Sequence, residues 1–135
     1  MATRSLIGKL NTDGTITNIY CHWDGYPDHN GVVLQEYYNS PAKVDELLAL
    51  GNLSFLGSAI GEKQDFDNRD RQNDWCLAYG RDRGEKNQEA QTVTREEFFN
   101  KDSGVDYLYI YNNEFEWECY DAWSSTPVNI SAETA

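Results

Sequence analysis

Two imidazoles and two carboxylates fall in one short stretch of the chain, as His22, Asp24, Asp28 and His29. Imidazole nitrogen and carboxylate oxygen together ligate zinc, manganese or iron. A histidine near an aspartate is also the minimum equipment for acid–base chemistry. The spacing His-x-Asp-x-x-x-Asp-His matches no metal motif, and neither histidine belongs to a recognisable nucleophile triad. A simpler reading has Asp24 closing a turn, Asp28 capping a helix and His22 packing. No metal and no cofactor is therefore expected. His22 and Asp24 stand as weak catalytic candidates for an alternative reading of the chain as a small hydrolase-like enzyme.

The same stretch is crowded with rings. Residues 19–27 read Ile-Tyr-Cys-His-Trp-Asp-Gly-Tyr-Pro, so Tyr20, Cys21, His22, Trp23 and Tyr26 run into the turn formers Asp24, Gly25 and Pro27. Large rigid side chains around a forced bend suggest a recognition surface rather than a connector. A second constellation is Arg69, Arg71, Arg81 and Arg83, in polar loops on either side of a short apolar run. Arg81 and Arg83 lie between Gly80 and Gly84, where the backbone can approach a ligand closely. Guanidinium forks suit phosphate. With Trp23, Asp24, Gly25 and Tyr26 alongside, Arg81 and Arg83 could hold a small anionic, nucleotide-like ligand. The competing reading is internal salt bridging to Asp70, Asp74 and Asp82, which alternate with the arginines.

The elements that must position these groups are short and locally signalled. Residues 5–10 and 15–21 read as strands joined by an Asp13-Gly14 hairpin turn. A helix is expected from Asp28 to about Tyr38, with Val33, Leu34, Tyr37 and Tyr38 on one face. A second opens with Ser40 as cap and Pro41 at its first position, buries Val44, Leu47 and Leu48, and stops at Gly51. Residues 61–74 and 80–92 read as exposed polar loops around a strand at 75–79. Thr94-Arg95-Glu96-Glu97 is a capping box opening a short helix. Residues 106–111 and 114–120 read as a hairpin turning at Asn112-Asn113. A two-residue turn would set Ile110 against Phe115 and Leu108 against Trp117. It would gather Tyr107, Tyr109 and Tyr111 with Glu114, Glu116 and Glu118 on the other face, a candidate surface for a basic partner. The order β-β-α-α-β-α-β-β predicts an α+β fold. Its antiparallel sheet would have about five strands from N- and C-terminal hairpins, with two or three helices packed on it. One domain over residues 1–123 and a polar, frayed tail over 124–135 are expected.

Charge narrows the partners. The chain carries 11 Lys and Arg against 23 Asp and Glu, a net charge of −12. That balance disfavours attraction to nucleic acid or an anionic membrane. It leaves a basic protein surface, nucleic-acid mimicry or simple solubility. Cys21, Cys76 and Cys119 are far apart, odd in number and set in apolar runs, which predicts reduced core thiols. No apolar run approaches membrane-spanning length and no hydrophobic leader is evident, so a cytoplasmic location is expected.

Several segments, taken in order, resemble a small family of tailed-bacteriophage proteins. These are Thr3-Arg4-Ser5-x-Ile7-Gly8, Asp13-Gly14-Thr15, the Ile19-to-Pro27 stretch, Gly31, Leu34, Tyr37-Tyr38, Lys43-Val44-x-x-Leu47, Leu50-Gly51-Asn52-Leu53-Ser54 and Tyr79-Gly80-Arg81-Asp82-Arg83-Gly84-Glu85. The likeness covers roughly residues 3–85. It implies a viral origin and little about chemistry, and it suggests that the tryptophan turn and the arginine loop meet in space. The chain is accordingly expected to be a phage accessory protein that acts by binding in the infected cell. It would inhibit a host or anti-phage defence component, or sequester a small anionic ligand. A minor virion component is the remaining alternative.

Overall fold

Asp13 and Gly14 make the first turn as their types dictate. Gly14 takes the left-handed φ of +88°, and the Asp13 carboxylate accepts bonds from the Thr15 amide and hydroxyl. The turn sets β1 (Ser5–Leu10) antiparallel to β2 (Ile16–Cys21), with Leu10 opposite Ile16. This computed structural model describes residues 3–67, 74–100 and 104–130.

After β2 the chain bends through a π-helical turn, Pro27–Gly31, into α1 (Val32–Tyr37). Asp28 lies inside that turn and caps nothing; Tyr26 precedes the turn and its side chain makes no capping bond to it, and Pro27 takes the first position. The second helix, α2 (Pro41–Ala49), follows its sequence signals closely. The Ser40 hydroxyl accepts from the Lys43 amide, and Val44, Leu47 and Leu48 are buried. Then come β3 (Leu53–Phe55), β4 (Leu77–Ala78), α3 (Tyr79–Arg83), β5 (Gln91–Val93) and α4 (Arg95–Phe98), the last opened by the Thr94–Glu97 capping box. The chain closes with β6 (Tyr107–Tyr111), β7 (Trp117–Asp121) and β8 (Pro127–Val128).

Among the described residues, all eight strands belong to one sheet, ordered β4-β3-β2-β1-β6-β7-β8, with β5 also pairing β2. Two pairings are parallel, β1 with β6 and β2 with β3; the others are antiparallel. The class is α+β with a mostly antiparallel sheet, as the hairpins imply. The sheet holds more strands than the expected five, because residues 53–55, for which no strand is expected, supply β3, residues read as polar loop supply β5 and residues read as tail supply β8. The strand expected at 75–79 shrinks to Leu77–Ala78 and turns directly into α3.

The C-terminal hairpin differs from its sequence reading in register. Tyr111 lies opposite Trp117, Tyr109 opposite Cys119 and Ile110 opposite Glu118. The turn is longer than Asn112-Asn113 because the Asn112 carboxamide accepts from the Glu114 and Glu116 amides, while Phe115 adopts a φ of +63°. Tyr109 and Tyr111 therefore join Ile7, Ile19, Leu34 and Leu47 in one apolar cluster beneath α1 and α2. Leu108 and Ile110 face the opposite way, with Ile16, Phe98 and Val105. Both faces of the sheet are covered, so the register had no polar face to respect.

Within the segment expected to fray, Pro127–Val128 pair with β7 as β8. Asp121 organises the turn after β7 through bonds from the Trp123 and Ser124 amides. Ile130 then packs, 3% exposed, against Gly31 and Tyr109. Residues 131–135 lie outside the described residues.

Candidate functional site

The bend after β2 is built from the core outward. His22 and Trp23 continue the pairing with β3, their amides donating to the Leu53 and Ser54 carbonyls at 3.0 Å each. Asp24 then takes a left-handed φ of +56°. Gly25 is buried, and its amide donates to the Thr3 carbonyl at 2.8 Å. Its own carbonyl accepts from the Tyr109 hydroxyl at 2.6 Å. A Cβ at position 25 would lie 2.8 Å from the Thr3 oxygen, so only glycine lets the backbone approach this closely. Asn30, fully buried, completes the joint. Its amide reaches the Asp24 and Tyr26 carbonyls, and its carboxamide donates to the Ser5 hydroxyl and the Cys21 sulfur.

The rings point the other way. Trp23 is 45% exposed and Tyr26 39% exposed. His22 meets the Trp23 indole edge-on at 4.9 Å, and its Nδ1 lies 2.7 Å from the Tyr20 hydroxyl. Tyr26 leans on His29, which packs in turn on Phe55. The Tyr26 hydroxyl donates to Asp24, whose negative charge is the main reason its phenol is held above the usual range. The corner thus combines a fixed backbone, two exposed rings and an acidic rim from Asp24 and the exposed Asp28.

His22 and Asp24 are neighbours in sequence but have different partners, Tyr20 and Tyr26. Among the described residues, no group of three or more His, Cys, Asp or Glu is placed to hold a metal ion. Cys21 and Cys76 are buried free thiols. Burial pushes Cys21 up to about 12 and also raises Cys76, which leaves both protonated and unreactive near neutrality.

The arginines are committed to the fold. Arg81 donates to the Ile60 and Cys76 carbonyls, each at 2.7 Å, and to both oxygens of the buried Asp82. Asp82 also accepts from the Gln64 and Ala78 amides, so this pair fastens α3 to the loop before it. Arg83 pairs with Glu85 and stacks over the rings of Phe66 and Tyr79. Neither guanidinium is bonded to the Trp23 corner. Arg69, Arg71 and Asp70 lie outside the described residues.

The tyrosine–glutamate face does not form as a docking surface. Tyr109 is fully buried and Tyr111 is 1% exposed, because the register shift turns them inward; Tyr107 and Glu118 are half-buried, and Glu114 and Glu116 stay exposed. Besides Tyr37, which is expected on an apolar helix face and is 45% exposed, two exposed rings escaped the sequence reading. Trp123, 63% exposed, sits on the β7–β8 turn. Asp121 of that turn lies opposite Tyr107, Tyr107 opposite Ser5, and Ser5 opposite Cys21, so Trp123 shares the sheet end that carries Trp23. Phe115, also 63% exposed, marks the opposite end, beside a cleft of about 450 Å³. A bulky residue in a polar turn was the available signal for both.

No protein-family model, curated protein or solved structure matches the chain.

Proposed function

We propose that this chain is a small acidic accessory protein of a tailed bacteriophage that works in the infected cell by docking on a basic surface of a host or anti-phage defence protein. The observation that carries this reading is the exposure of Trp23 and Tyr26 on a backbone whose polar groups are tied to Thr3, Ser54, Asn30 and Tyr109. Aromatic side chains fixed before binding lose little entropy when they are covered, which is the property of interface anchors. Trp123 extends the exposed aromatic surface at the same end of the sheet, and the net charge of −12 selects basic partners and speeds their encounter. Sequestration of an anion by Arg81 and Arg83 has less support, since Arg81 spends its fork on Asp82 and two backbone carbonyls.

Affinity capture from infected cells at low and at high salt tests the proposal. A host protein retained by the wild type, weakened by salt and lost with Trp23→Ala plus Tyr26→Ala is the expected result. Equal retention by wild type and double variant would remove the corner from the function.

A further inference from the structure

The C-terminal ends of the parallel strands β1 and β6 leave a cleft of about 450 Å³ between the turns that follow them. Leu10, Pro41 and the rings of Tyr111 and Phe115 form its apolar walls, and Lys9 and Asn112 bring polar groups. Pro41 is the first residue of α2, so the positive end of that helix borders the cleft.

Two features of this cleft are unusual. Tyr111 is 1% exposed, yet among the described residues its hydroxyl has no hydrogen-bond partner. Buried polar atoms are nearly always satisfied, so this exception calls for an explanation, and a bound partner is one. Lys9 is the direct neighbour of Tyr111 across the β1–β6 pair, and its side chain is only 28% exposed. A chain of net charge −12 repels anions at long range; the Lys9 ammonium is paired with Asp45, and it becomes a local attraction for an anion once that exposed carboxylate swings away. Phe115 supplies the remaining element. Its left-handed φ of +63° is uncommon for a bulky residue, and it holds a largely bare ring at the mouth, 6.4 Å from the Tyr111 ring centre.

We propose that this cleft is a binding site for a small planar molecule carrying one anionic group, an aromatic carboxylate or a nucleoside monophosphate. Its ring lies on Phe115, and its anionic oxygen is taken by Lys9 and the Tyr111 hydroxyl. The Lys9–Asp45 pair, 2.8 Å long, exchanges Asp45 for the ligand, at little cost because Asp45 is 60% exposed. The volume falls within the usual range for such ligands.

The test is titration followed by amide NMR with three probes: adenosine 5′-monophosphate, benzoate and inorganic phosphate. The two ring-bearing anions are expected to shift the amides of Lys9, Tyr111 and Phe115, and phosphate alone to bind more weakly. Lys9→Met and Phe115→Ala are each expected to raise the dissociation constant at least about tenfold. Tyr111→Phe separates a ligand role from a structural one, because it should weaken binding while holding or raising the melting temperature of the free protein. No shift at these amides with any probe, phosphate binding as tightly as the ring-bearing probes, or a Tyr111→Phe protein that binds normally would each overturn the proposal.

Discussion

Tyr109 and Tyr111 stand two residues apart on β6, point to the same face and are equally buried, but they serve opposite ends of the sheet. Tyr109 reaches back to the Gly25 carbonyl and locks the Trp23 corner. Tyr111 lines the cleft at the other end, and among the described residues its hydroxyl has no hydrogen-bond partner. One end is finished, with polar groups satisfied and rings displayed. The other is unfinished, with a buried hydroxyl that has no partner among the described residues and an ammonium held only by the exposed Asp45. A satisfied end suits a preformed docking point, and an unsatisfied end suits a ligand that completes it.

The comparison can be strained from several directions. The largest effect is expected at α3, which follows the edge strand β4. Arg81→Ala leaves Asp82 buried without its cation and should lower stability by roughly 3 kcal/mol in urea denaturation. A loss below about 1 kcal/mol would mean that Arg81 is freer than its bonds indicate. Next, Tyr109→Phe orphans the buried Gly25 carbonyl and should cost roughly 1–3 kcal/mol, measured the same way.

Alkaline pH should weaken the protein through its interior. Cys21 is raised from an ordinary 9.0 to about 12, so between those values the unfolded chain sheds a proton that the folded chain keeps. Stability then falls as pH rises above 9.0, by about 1.4 kcal/mol per pH unit from this thiol, and Cys76 adds in the same direction. Chemical denaturation at a series of alkaline pH values measures the slope; a flat profile would place Cys21 in contact with solvent. The smallest effect has the opposite sign to that of Tyr109. Tyr111→Phe removes an unpaired hydroxyl and should be neutral or stabilising by up to about 1 kcal/mol. Similar losses for the two tyrosine variants would erase the difference between the ends.

Much of this frame was legible in the sequence, wherever the signal was local. The Asp13-Gly14 turn, the Ser40-Pro41 start of α2 and the Thr94–Glu97 capping box each carry their own hydrogen bonds, and each appears where its residues stand. The ring-crowded bend also emerged with its tryptophan displayed. What was not legible depends on distant partners. Nothing near β1 announces that it runs parallel to β6, and it is this pairing that sets Lys9 beside Tyr111. The β6–β7 register turned on the Asn112 carboxamide, which stabilises a longer turn that alternation alone could not reveal. For Arg81 the sequence offered Asp82 as an internal partner, which it is, but its other acceptors, the Ile60 and Cys76 carbonyls, are backbone atoms that carry no sequence signature.

The docking claim rests most directly on the affinity of the captured partner for Trp23→Ala, measured by titration calorimetry beside the variant's stability. The predicted result is a dissociation constant raised roughly thirtyfold or more, as for an interface anchor, with unfolding free energy within about 0.5 kcal/mol of the wild type. An affinity within about twofold of the wild type, in a variant that folds normally, would contradict it.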